Sequence, residues 1–434
     1  MSEQESAPAA RPWWKSIGPG LVTACVVIGP GSITTSTNVG AADGYSKSWV
    51  VVLAVVFMLA YMQMAARLGV VAQESNGDLC RKHAGQWLAI LIGVGIFFIA
   101  AAFQFGNNLG VHAAISTYTS GDYWILLFNG LALAFVFGFK NLYSMLEKVM
   151  SVFVGLMLLA FFVNVFFAKP NVGELAAGFI PSGITELGLP LVGLIGTTFV
   201  IAAAYYQSYL ARFKGWQVAD LKAGAVDARV SATIMALITL MLMTTAAAVL
   251  RGEKLGGVSD IANALYPLFG EKGRIIFCVG LFCAAFSSFI VNSMIGGFIL
   301  ADGLKLGSTP EDKAPRILTG AVLVVGMGVA LYVIKTGTKP MPAIVAAQAV
   351  TVIAAPLMAI TLLWLCNRED IMGEHKNGPI LNIVAGIGML VLVIAAYNTA
   401  VNKVWPAITK AKPAPVEQQS TPSTNAPALD TTKQ

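Results

Sequence analysis

Gly29-Pro30-Gly31-Ser32-Ile33-Thr34-Thr35-Ser36-Thr37 lies in the middle of an apolar run, residues 18–40. Proline lacks the N–H that a helix interior needs, and the glycines on either side weaken helix further. A continuous helix is therefore disfavoured at this point. Five hydroxyl residues follow within the same nine positions. In hydrocarbon, freed backbone groups must be met by protein, water or a bound ligand. An interrupted span points to a transporter's midplane site. The structural alternative is a kinked helix whose hydroxyls bond back to their own carbonyls.

Composition says what surrounds this segment. The 434 residues are 56% hydrophobic and 12% charged, with a mean hydropathy of +0.73. A soluble chain carries about 25% charge. A soluble enzyme, a disordered chain and a fibrous repeat are all excluded. A membrane helix needs about 20 mainly apolar residues. Eleven such runs are present, near 18–40, 47–70, 86–117, 121–139, 146–168, 186–211, 230–250, 274–300, 317–335, 341–366 and 379–402. The expected fold is an all-α membrane protein. No nucleophile–base pair or His/Glu metal motif converges in the spans, so the chain does not read as an enzyme.

Sixteen of the 28 lysines and arginines fall in the alternate gaps that include the N-terminus. The positive-inside rule then predicts a cytoplasmic N-terminus and, with eleven spans, an outside C-terminus. The expected location is a bacterial inner membrane. The basic residues form no patch interleaved with aromatics, so nucleic acid is not a partner and membrane lipid is. Cys25, Cys80, Cys278, Cys283 and Cys366 lie in or beside apolar runs without metal-ligand spacing. Residues 1–17 carry Glu3 and Glu5 and show no cleavable signal; Trp13 and Trp14 beside Lys15 suggest an interfacial anchor. Residues 403–434, rich in Pro, Ala, Thr and Gln, read as a disordered tail.

Several segments together resemble the NRAMP family of divalent-metal transporters, which has the LeuT-type fold. The resemblance runs over residues 17–402 and is strongest in "GYSKSWVVVLAVVFMLAYMQMAARLGVVAQESNGDLCRKHAG" (44–85). It continues in "LEKVMSVFVGLMLLAF" (146–161), "VDARVSATIMALITLMLMTTAAAVL" (226–250) and "VSDIANALYPLFG" (258–270). "LFCAAFSSFIVNSMIGGFILADG" (281–303) and "AAQAVTVIAAPLMAITLLWL" (346–365) complete it. It implies a 5+5 inverted repeat with broken helices 1 and 6: a first repeat over 18–168, a second over 186–366, and an eleventh helix over 379–402. The sixth run has no proline, and its periodicity alone does not mark a break.

The departures from the family pattern concern the metal site. The family's Asp-Pro-Gly-Asn is here Gly29-Pro30-Gly31-Ser32. Its Met-Pro-His falls on Val200-Ile201-Ala202. Its Asp-x-x-Glu proton route falls on Gln104-Phe105-Gly106-Asn107, anchored by Gly110, and a glutamine of the tenth helix is Ala354. None of the usual divalent-metal ligands remains. Manganese and iron(II) favour nitrogen or sulfur donors beside oxygen, and an uncompensated buried charge is costly. His112 reads as a structural histidine. Glu147 with Lys148, and Asp227 with Arg229, read as gating or orientation pairs at helix ends.

With the carboxylate gone, the N–H groups at the start of the second half-helix (Gly31, Ser32 and Ile33) favour an anion. The sequence expectation is therefore a secondary transporter of a small anionic solute, with bicarbonate or a small carboxylate as candidates. The predicted substrate site comprises Gly29, Gly31, Ser32, Ile33, Thr34, Thr35, Gln104, Asn107, Thr197, Thr198, Ala202, Tyr205 and Gln207. Sodium is the expected coupling ion, held by Ile28, Ala284, Ser287 and Ser288, in the pattern of LeuT-type sodium sites; no other cofactor is expected. Two alternatives stand beside this. One is a divalent metal transporter, for magnesium or manganese held by water and backbone. The other is a transport-dead sensor or scaffold.

Overall fold

The computed structural model describes residues 17–116, 118, 119, 121–182, 189–253, 255, 257–337 and 341–409. The predicted anchor at Trp13 and Trp14, and most of the 403–434 tail, lie outside the described residues. The helices are α1 (Pro19–Val27), α2 (Pro30–Asp43), α3 (Ser48–Ala72), α4 (Asn76–Ala84), α5 (Gln86–Ser116) and α6 (Tyr123–Gly138). Then come α7 (Leu142–Ala168), α8 (Val172–Ala177), α9 (Leu189–Thr198), α10 (Ile201–Phe213), α11 (Leu221–Val249) and α12 (Val258–Gly303). The last are α13 (Lys313–Thr336), α14 (Met341–Leu365), α15 (Glu369–Met372), α16 (Pro379–Thr399) and α17 (Trp405–Thr409).

Among the described residues, seven helices are long and apolar enough to cross a bilayer, and α1 with α2, bent by 60°, makes an eighth if the pair is one span. The helix order is consistent with eleven spans, with α9 and α10 sharing the sixth. α12 carries a kink at Gly270, where φ is +66°; the segment after it, Gly270–Gly303, is the eighth span.

Both breaks have a local cause. Ile28 leaves the helix at φ −90°, ψ 80°, Gly29 is extended, and Pro30 opens α2. Proline suits a first helical position, where no N–H is needed. The Ser32 hydroxyl accepts the Gly29 N–H at 3.1 Å and donates to the Gly29 carbonyl at 2.9 Å, closing a cap. The second break falls at Phe199 and Val200, between α9 and α10. It lies in the register that aligned Val200-Ile201-Ala202 with the family's ligand motif, although no proline or glycine marks it.

Lipid offers no hydrophobic drive between helices, so close approach through small residues carries the packing. A Cβ on Gly110 of α5 would lie 2.2 Å from Pro30 Cγ, so α5 can meet the first break only because that residue is glycine. On its other side, a Cβ on Gly326 of α13 would lie 2.5 Å from Gln104 Cγ. α5 is thereby held between the first break and α13, with Gln104 and Asn107 buried at this level.

Candidate functional site

The two breaks enclose a cavity of about 40 Å³. Gly29, Gly31, Ser32, Asn107, Thr197, Ala202 and Ser288, all predicted from the sequence, line it. Val26, Val27, Ile99, Phe103, Val200, Asn292 and Ile295 complete the wall. It adjoins a larger space of about 220 Å³ that shares Ile99, Phe103, Thr197, Val200 and Ala202. That vestibule runs along α9, α14 and α16, past Thr351, Met358 and Thr399. It occupies the half of the bundle opposite the start of α1.

The hydroxyls around the cavity donate elsewhere. Thr34 donates to the Pro30 carbonyl at 2.9 Å, Thr35 to Gly31 at 2.8 Å and Ser36 to Ser32 at 2.6 Å. Thr197 donates to Gly193 at 3.0 Å, and Ser288 to the Val26 carbonyl at 3.4 Å. A hydroxyl has one hydrogen and two lone pairs. With the hydrogen engaged, the oxygens of Thr197 and Ser288, which line the cavity, can offer a ligand lone pairs. The structural alternative for Thr34, Thr35 and Ser36 is thus observed, and these three, among them the predicted site residues Thr34 and Thr35, do not line the cavity. The Gly29 N–H, engaged by Ser32, is no free donor either. Asn107 donates its amide N–H to Gln104 Oε1 at 3.4 Å. Its own Oδ1 lies 3.5 Å from where a Gly29 Cβ would stand, and Ser288 Oγ lies 3.0 Å from the same point. The carbonyl ends of α1 and α9 also reach the cavity, and helix C-termini favour cations.

A row of amides runs from the cavity through α5. Gln104 Oε1 accepts from Asn292 at 3.3 Å, Asn108 donates to the Gln104 carbonyl at 2.9 Å, and Asn129 donates to Asn108 Oδ1 at 2.7 Å. Gln104 Nε2 and Asn129 Oδ1 are buried without a partner, positions that ordered water commonly fills. Sequence reasoning missed Asn292 and Asn129. Their signal was a lone amide inside an apolar helix.

Other predicted residues lie elsewhere. Ile33 is buried in the apolar core. Thr198 has a buried hydroxyl without a partner and does not line the cavity. Tyr205 and Gln207 lie in the half of α10 that leads away from it. Gln207 accepts from Thr23 and donates toward Asp227 at 3.5 Å. Of the sodium set, Ser288 meets the carbonyl of Val26 rather than that of Ile28, and Ser287 donates to Ala284 of its own helix at 3.2 Å. Ala354 is buried beside the vestibule. His112 is half-buried, with Nε2 3.6 Å from Asp122.

Charge collects at the end of the bundle where α1 begins. Asp227 Oδ1 accepts the Gly18 N–H at 2.8 Å and Oδ2 the Gly20 N–H at 2.7 Å. A carboxylate thus satisfies the orphan donors at the start of α1. Glu147 pairs with Lys214, not with Lys148, and Asp227 binds α1 rather than Arg229. Asp302 accepts from Ser75 at 2.7 Å, the Gly77 N–H at 2.8 Å and Tyr209 at 2.5 Å, with Arg81 at 3.3 Å. Beside it on α4, burial opposes ionisation of Asp78, yet hydrogen bonds from Arg81 and Ser75 hold its carboxyl below the usual range. These contacts tie α1, α4, α10 and α12 together below the cavity, while the vestibule leaves its other side accessible. Among the described residues, no group of three or more His, Cys, Asp or Glu could hold a metal.

The family model described as natural resistance-associated macrophage protein-like (Nramp) matches residues 20–402. The chain belongs to the Nramp family. Relatives within the family include the divalent metal cation transporter MntH of Deinococcus radiodurans, 24% identical over 88% of each chain. The metal transporter Nramp3.2 of Populus trichocarpa is 26% identical, over 88% of this chain and 80% of its own. In fold, the chain matches a manganese transporter of Eremococcus coleocola with a TM-score of 0.80 at 16% identity, covering 95% and 93% of the two chains. MhsT in complex with L-phenylalanine matches at 0.57 and 13% identity, covering 91% and 98%. The family is one of multi-pass membrane transporters with the LeuT-type fold. These findings overturn the expected small anion, bicarbonate or carboxylate, because the curated relatives are named as metal transporters, MntH as one of divalent metal cations. The hydroxyls of Thr197 and Ser288, whose hydrogens are engaged by helix carbonyls, offer an anion no donor.

Proposed function

We propose that this Nramp chain carries a divalent metal cation that keeps its water shell, with magnesium favoured over manganese. What carries the reading is the cavity at the breaks, where hydroxyl and amide oxygens present lone pairs and the hydroxyl hydrogens of Ser32, Thr197 and Ser288 are engaged by carbonyls. Magnesium prefers oxygen ligands and dehydrates reluctantly. The manganese-selecting sulfur and nitrogen donors are replaced by Val200 and Ala202. The adjoining vestibule of about 220 Å³ has room for several waters beside the cavity. An ion that retains water brings its own donors to Asn107, Ser288 and Thr197, so it needs no buried carboxylate beside it.

Sodium has no part in this reading, since a dication needs no cotransported charge at the site. Nor does a proton, because Gln104 and Asn107 are neutral at physiological pH. The topology belongs to the same reading: an inner-membrane protein with its N-terminus cytoplasmic, built of repeats over 18–168 and 186–366 with an eleventh helix over 379–402.

Uptake by proteoliposomes of purified protein tests the proposal. Saturable magnesium uptake in sodium-free buffer is expected, with manganese weaker. Bicarbonate uptake without any divalent flux would contradict it, and so would the absence of flux for every solute.

A further inference from the structure

A second cavity, of about 260 Å³, lies at the charged end of the bundle, away from the breaks. Its wall includes Gln63 and Arg67 of α3, Trp216 of the α10–α11 connection, and Leu221, Lys222 and Gly224 from the first turn of α11. Three features set its chemistry. Two cations line it, no carboxylate does, and neither Arg67 nor Lys222 has an acidic partner among the described residues. Arg67 is fixed in place by a hydrogen bond to Asn377 Oδ1, yet its Nε–H is buried without an acceptor. The helix that starts at Val218 and runs on into α11 brings the positive end of its dipole nearby, and the carboxylate of its first-turn Asp220 is engaged by the Gln217 N–H at 3.0 Å. Trp216 is buried against Ala66, Val70 and Ala211, and a Cβ on Gly224 would stand 3.0 Å from its ring, so the floor of the cavity is rigid.

A buried guanidinium donor without an acceptor is a place where an acceptor belongs. Arginine and lysine beside a helix N-terminus match the oxygens of a phosphate group. We infer that this cavity binds a phosphate group, carried by an anionic phospholipid headgroup or free in solution. It lies at the end of the bundle where the lysine and arginine bias places the cytoplasm, and basic pockets between helices on that side suit anionic headgroups. The inference is independent of which solute crosses at the breaks.

The test uses the full-length protein in neutral detergent micelles, titrated with dioctanoyl phosphatidylglycerol, dioctanoyl phosphatidylcholine and inorganic phosphate. Thermal stabilisation gives the apparent affinity. Phosphatidylglycerol is expected to stabilise the protein saturably and phosphatidylcholine is not. Lys222→Gln and Arg67→Gln should each weaken the effect about fivefold, whereas Arg229→Gln, about two turns further along α11 and outside the cavity, should leave it unchanged. Lys222 is exposed, so its variant folds even if loss of the Arg67–Asn377 bond proves harmful. The same pattern with inorganic phosphate would identify the free anion as the source and support the site. Equal binding by all three variants, or no stabilisation by either phosphate compound, would overturn it.

Discussion

Two levels of this molecule treat charge in opposite ways. Where α1 begins, Asp227, Asp302 and the Glu147–Lys214 pair are buried or half-buried and matched with donors. At the breaks, one helical half above, no ionisable side chain lines the cavity. The ionised groups are placed where they join helices, and the breaks keep neutral oxygens. A charge that holds helices together must be matched in the protein, whereas a site for a travelling ion can leave the matching to the ion and its water.

The comparison can be broken at its strongest point first. Asp302→Ala would leave Tyr209 and the Gly77 N–H without their acceptor and take from Arg81 and Ser75 one of the two carboxylates they bond, the other being Asp78. Breaking such a buried pair costs about 3–5 kcal/mol, which a fall in melting temperature of the purified protein should show. A neutral result would mean that this network does not hold the end closed. At the breaks the reverse is expected: Gly31→Phe should reduce magnesium uptake at least tenfold, about 1.4 kcal/mol or more, with little change in melting temperature. A Cβ on Gly31 meets nothing within 4 Å, so the ring can enter the cavity without displacing the fold.

Smaller changes sharpen the contrast. Asn107→Asp places a carboxylate where an amide oxygen faces Gly29, and should tighten divalent binding by about tenfold or more. Unchanged affinity in a calorimetric titration would place the ion elsewhere. Ser288→Ala removes one neutral ligand oxygen and should weaken binding about threefold, within the range for a single uncharged hydrogen bond. A protonophore should leave uptake unchanged, because the α5 amides cannot relay a titrating proton; a collapse of uptake would show that another group does so.

The first break was legible because Pro30 and its two glycines are local signals. The second was not, since Phe199 and Val200 are ordinary apolar residues, and only the register against the family motif located it. Cavity residues were found where helical spacing kept them near a break. Gln207 was misplaced because it stands five positions beyond Ala202, more than a full turn down α10. Glu147 finds Lys214 rather than Lys148, because adjacent residues of a helix point in different directions. The partners of Asp227 lie 209 and 207 residues away in sequence, beyond the reach of any local pattern. The least legible feature bears on the chemistry: the Ser288 hydroxyl donates to the Val26 carbonyl, 262 residues away, which only the folded chain places.

Competition by cobalt(III) hexaammine, whose six ammines do not exchange and mimic the hydrated magnesium shell, tests the hydrated-ion claim most directly. Its N–H groups can donate to the same acceptor oxygens without any inner-shell bond to the protein. The account predicts that it inhibits magnesium uptake into proteoliposomes competitively, and that Gly31→Phe abolishes both the uptake and the binding of the complex. Magnesium uptake indifferent to the complex would contradict the account, since the ion would then be recognised stripped of its water.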